Sequence, residues 1–78
     1  MRARVYLEGG PLIGQWTARD HCDSSVVIVG RDKAGELFSE RFLTTPMAAQ
    51  AIEGLDQMLG LYGYEPERDA MTWRPLQG

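Results

Sequence analysis

A chain of 78 residues with 44% hydrophobic and 24% charged side chains has the composition of an ordinary globular domain, away from the polar, highly charged signature of disorder. Its formal net charge of −3 and pI near 4.9 disfavour direct nucleic-acid binding, because a phosphate reader carries a strongly basic footprint. A single cysteine, Cys22, excludes an internal disulfide, and small secreted domains usually need such staples, so a cytoplasmic location is expected. The alternating N-terminus has no apolar h-region and the longest aliphatic run is Val26 to Val29, so neither export nor membrane insertion is expected.

One compact α+β domain is expected over residues 1–78, with a single core, since a chain of this size buries too little surface for two. Ala3, Val5 and Leu7 alternate with Arg2, Arg4, Tyr6 and Glu8, the period of two that marks a strand with one buried face. Gly9-Gly10-Pro11 is a turn signal. It predicts a hairpin into a second strand over 12–19, with Leu12, Gly14, Trp16 and Ala18 inward and Ile13, Gln15, Thr17 and Arg19 outward.

A short polar break over 20–25 leads to Val26-Val27-Ile28-Val29, apolar on both faces and β-branched, as a central strand must be. Asp32-Lys33-Ala34-Gly35 predicts a hairpin loop. A fourth strand follows over 37–43, with Phe38 and Phe42 on one face and Ser39 and Arg41 on the other. Thr45 is placed to cap a helix and Pro46 to open it. Ala48, Ala51, Ile52, Leu55, Met58, Leu59 and Tyr62 recur at helical spacing, so the helix is expected to run until Gly60 or Gly63 ends it. Met71 to Arg74 predicts a last strand at the sheet edge, stopped by Pro75. The expected fold is thus an antiparallel sheet of about five strands with one amphipathic helix packed on one face, in the order β-β-β-β-α-β.

Asp20-His21-Cys22-Asp23 holds the only histidine and cysteine of the chain. Adjacent side chains rarely converge on one metal ion, and a Cys–His catalytic pair needs its imidazole within reach of sulfur. A polar turn is the better reading. Gly9-Gly10-Pro11 lacks the Gly-Lys pair of a phosphate loop. No catalytic residue, metal or cofactor is expected, and the chain reads as a non-enzymatic binder.

Two surfaces remain for a partner. Residues 1–41 carry six basic and six acidic groups, whereas residues 42–78 carry Arg68 and Arg74 against Glu53, Asp56, Glu65, Glu67 and Asp69, so the whole net charge lies in the second half. Carboxylates just past a helix C-terminus oppose its dipole, and their presence there marks those five residues as the candidate partner-binding surface. The alternative is an open sheet face bearing Arg4, Tyr6, Gln15 and Arg19, since arginine beside an aromatic on a sheet is how some RNA-binding domains stack bases.

In size, acidity and element order the chain resembles the anti-CRISPR proteins of phages and other mobile elements, particularly those directed at type I CRISPR–Cas surveillance complexes. The resemblance implies an inhibitor that binds a subunit of the effector complex stoichiometrically and blocks target DNA; the chain itself is expected to be a monomer or a homodimer. Glu53, Asp56, Glu65, Glu67 and Asp69 would then occupy sites built for phosphate. Two other classes stay open: a small nucleic-acid binder using the open sheet face, and a homodimeric antitoxin-like regulatory subunit.

Overall fold

A computed structural model describes residues 4–18, 25–43 and 45–76, with the side chain of Thr45 outside the description. The fold is α+β, with one helix and a six-stranded sheet among the described residues. The strands are β1 (Arg4–Glu8), β2 (Trp16–Ala18), β3 (Val26–Arg31), β4 (Leu37–Phe42), β5 (Gln57–Glu65) and β6 (Ala70–Pro75), and α1 (Thr45–Glu53) lies between β4 and β5. Their order across the sheet is β2-β1-β6-β5-β3-β4. All pairings are antiparallel except β1 with β6, which is parallel and matches Leu7 with Met71 and Glu8 with Thr72. The sheet is therefore mixed, where an antiparallel one was expected.

The elements read from strict local pattern stand as expected. In β1, Val5 and Leu7 are buried while Arg4 and Tyr6 are exposed. β3 lies between β4 and β5, and its Val27, Ile28 and Val29 are buried on both faces. The β3–β4 loop closes on Asp32, whose Oδ1 accepts the amides of Ala34 at 2.9 Å and Glu36 at 3.0 Å.

Besides the second strand, which is shorter than expected at Trp16–Ala18, two elements differ. The helix ends at Glu53, well short of Gly60. At its end Gly54 and Leu55 donate three residues back, to Ala51 and Ile52, and the Asp56 amide donates instead to the Arg31 carbonyl at 2.9 Å. That bond starts the β3–β5 ladder, with Arg31 opposite Gln57. Residues 57–65, apolar on both faces, are thereby a central strand, with Tyr62 fully buried. Ile52, expected on the packed stripe, is 36% exposed. The second difference is β6, which is an inner strand between β1 and β5 and not an edge; Pro75 sits at its last position, where the missing N–H is tolerated. The capping role expected of Thr45 falls on a side chain outside the described ones.

One core cluster unites Val5, Leu7, Leu12, Val27, Val29, Tyr62 and Met71 from four strands and the first turn. Ile28 alternates to the opposite face, the side on which α1 packs against β3 and β4 and buries Ala48. The sheet curls around the cluster until its two edges approach, and the Arg41 guanidinium of β4 donates to Thr17 Oγ1 of β2. The face opposite the helix is thus the closed, concave core. Arg4 and Tyr6 lie on the same convex side as α1, on the stretch of sheet the helix leaves bare.

Gly60 permits the close approach of β6 to β5. A Cβ there would lie 2.6 Å from the Arg74 carbonyl and 2.6 Å from the Trp73 ring, so Gly60→Ala is expected to lower stability by about 1 to 3 kcal/mol through overpacking. A thermal melt with an unshifted midpoint would count against this close approach.

Candidate functional site

The second strand was expected to point Trp16 inward and Thr17 outward; the structure reverses both. Leu12 to Gly14 form turns in place of a strand, with Gly14 at φ +87°. The extra residues of this turn advance the side-chain phase by one before β2 begins, so buried Leu12 is followed by buried Thr17 and exposed Trp16. Direct pairing then sets Trp16 opposite Tyr6 and Ala18 opposite Arg4, which puts all four side chains on one face.

The Arg4 guanidinium carbon lies 5.7 Å from the Tyr6 ring centre and 5.2 Å from that of Trp16. Tyr6 is 41% exposed and Trp16 57%. Exposed cation–π contacts of this kind are worth about 0.5 to 1 kcal/mol each, too little to explain leaving two aromatics in water for stability alone. Single exposed hydrophobics are common and need no account. Here two rings and an arginine touch one another on rigid strands, the residue types that dominate binding energy at protein interfaces. Gln15, expected on the same open face, is exposed but falls on the other side with Thr17, opposite Leu7, whose amide donates to its carbonyl at 2.8 Å; Arg19 lies outside the described residues, as do Asp20, His21, Cys22 and Asp23.

The five carboxylates do not form one surface. Glu53 and Asp56 lie before the start of β5, and Glu65, Glu67 and Asp69 at its other end, and a nine-residue strand spans roughly 26 Å. The second group forms the β5–β6 turn. Asp69, at φ 50°, accepts the Tyr64 hydroxyl at 2.6 Å, and Glu65 accepts the Glu67 amide at 3.4 Å. Because the helix stops at Glu53, the dipole argument no longer applies to these three residues. Arg68 stands among them and donates to both oxygens of Glu8, at 2.6 and 3.3 Å.

That pair was not foreseen from the sequence, since its members are sixty residues apart; only the parallel β1–β6 pairing brings them together. The Arg68 hydrogen bond holds the Glu8 carboxyl below the usual carboxylate range. A depressed folded-state pKa adds stability above the unfolded pKa, and that contribution is lost as pH falls through the folded value. Both side chains are exposed and the pair is screened. Glu8→Gln is therefore expected to leave the melting temperature at neutral pH within a degree or so of wild type, while flattening the acid side of the stability profile slightly; a large neutral-pH loss would show that the pair is structural.

Among the described residues no group of three or more His, Cys, Asp or Glu side chains is placed to hold a metal ion, and no helix is long and apolar enough to cross a membrane. Set against known proteins, the chain matches no family model, no curated protein and no solved structure.

Proposed function

We propose that this chain is a non-enzymatic, cytoplasmic binding protein that engages a protein partner through the convex face of β1 and β2, centred on Arg4, Tyr6 and Trp16. The observation that carries this reading is the direct contact of three hot-spot residue types, held exposed on paired strands. The acidity of the chain as a whole favours a protein over a nucleic-acid partner. A subunit of a type I CRISPR–Cas surveillance complex is the partner class to which the anti-CRISPR resemblance points, with inhibition by stoichiometric binding.

Immobilised protein challenged with a purified type I effector complex tests both levels of this reading. Trp16→Ala and the double change Arg4→Glu with Tyr6→Ala are each expected to weaken binding by about tenfold or more, as truncation of an interface hot spot does. Charge reversal at Glu53 and Asp56, or at Glu65 and Glu67, is expected to alter mainly the association rate, as rim charges do. If the reversals abolish binding and Trp16→Ala is silent, one of the acidic ends is the interface and DNA mimicry becomes the better account. Binding that collapses as salt is raised, seen with DNA alone, would instead favour the nucleic-acid reading.

A further inference from the structure

The two edges of the curled sheet do not meet through main-chain bonds. Among the described residues β2 pairs only with β1 and β4 only with β3, so each presents an outer edge of backbone donors and acceptors. Between them is a cleft of about 350 Å³, at the lower end of the range of ligand pockets, roughly 300 to 1,000 Å³. Leu7, Leu12 and Val27 form its floor, and Thr17, Ser39 and Arg41 its walls.

Arg41 is the unusual member. It lies opposite Val27 in the β3–β4 register, so its side chain emerges on the concave, apolar face, while Glu40, opposite Ile28, is directed to the convex side. A guanidinium carries five N–H donors in a planar fork. Here its hydrogen-bond partner among the described residues is one neutral hydroxyl, Thr17 Oγ1. A carboxylate would satisfy the fork far better, by a charge-assisted, two-point bond.

We infer that this cleft binds an extended peptide segment as an added strand along the open edge, with one inward-facing carboxylate seated on Arg41. Strand addition supplies affinity through main-chain bonds and specificity through alternate side chains. In an extended chain, positions two apart share a face. A small apolar residue two places from the carboxylate therefore reaches the Leu12 and Val27 floor. The acidity of the chain disfavours further carboxylates in the bound segment, which limits the partner to one anchoring acid. The cleft is distinct from the convex face proposed above, although Trp16 borders both, and Arg4→Ala separates them because Arg4 does not line the cleft.

The test is a titration of the ¹⁵N-labelled protein with the peptide acetyl-Thr-Val-Thr-Glu-Thr-Val-amide, followed by amide chemical shifts. Saturable shifts are expected at the amides of Thr17, Ser39 and Arg41, with the same titration curve at those amides in Arg4→Ala. Glutamine in place of the peptide's glutamate, or Arg41→Gln in the protein, is expected to weaken binding by about tenfold or more. Ser39→Phe, which fills the cleft from an exposed position, is expected to abolish binding without lowering the melting temperature, and it decides the matter if Arg41→Gln is poorly folded. Equal affinity for propionate would overturn strand addition in favour of a small-anion site. Concentration-dependent shifts at the same amides without peptide would assign the edges to a second copy of this chain, and unchanged binding in both cleft variants would remove the site altogether.

Discussion

Replacing Tyr62 by phenylalanine is expected to remove about 2 to 4 kcal/mol of folding stability, because a buried amide and a half-buried carbonyl lose their shared long-range partner at once. Tyr62 is fully buried in the core cluster. Its hydroxyl donates to the Gly9 carbonyl at 2.6 Å and accepts the Leu12 amide at 2.8 Å. One oxygen thus fastens the turn after β1 to a central strand fifty or more residues away. Each buried group left without a partner costs roughly 1 to 3 kcal/mol, against a total of roughly 4 to 12 kcal/mol for a domain of this length. Urea denaturation followed by tryptophan fluorescence measures the loss; a change below about 0.5 kcal/mol would mean that water replaces the hydroxyl. Burial also pushes the Tyr62 phenol above its ordinary pKa, against the opposing influence of the Leu12 amide. A raised folded-state value stabilises the fold below the unfolded pKa and is lost as pH rises through the folded one, so wild type is expected to lose stability in strong alkali while the phenylalanine variant lacks that step.

Gly10→Ala is the second large effect, expected at about 2 to 5 kcal/mol from backbone strain and overlap together. Gly10 sits at φ +67°, and a Cβ added there would lie 2.5 Å from Trp73 Cδ2 and 2.7 Å from the Tyr62 hydroxyl. The Trp73 ring is half-buried and tilted against Tyr62 with centroids 5.0 Å apart, so moving it aside disturbs that contact as well. The two substitutions strike one junction, so their costs are expected to be less than additive. A Gly10→Ala, Tyr62→Phe double variant that lost the full sum would show that turn and strand are coupled less tightly than the geometry implies. The binding face is part of the same readout, because β2 hangs on this turn.

The sequence made the local elements legible and hid the ones defined by distant pairing. β1, β3, β4 and the Asp32 loop each carry their own pattern. The stretch from Leu55 to Tyr62 misleads because a strand that is apolar on both faces satisfies helical spacing as well as its own. Gly60 and Gly63 were better clues than their reading as helix stops suggested: both lie where Trp73 or Arg74 crosses closely. β6 looked like an edge because nothing local announces a parallel partner in β1. Of the site, Arg4 and Tyr6 follow from alternation, whereas the orientation of Trp16 depends on the turn at Gly14, which breaks the strand phase before β2. The five carboxylates were grouped by sequence, and a strand between them sets the groups apart.

The position of β6 has a consequence for how the chain acquires its structure. The sheet consists of two halves, β2-β1 and β5-β3-β4, and the pairings that join them run through β6 alone. The C-terminal half can begin to pair from neighbouring segments, but β1 must wait for a strand more than sixty residues downstream. Loop closure over that span is slow relative to hairpin formation, and chains emerge from the ribosome at about 5 to 20 residues per second. The β1–β2 hairpin is therefore made before β6 and docked after it, and the convex face carrying Arg4, Tyr6 and Trp16 acquires its rigid support only when β6 arrives.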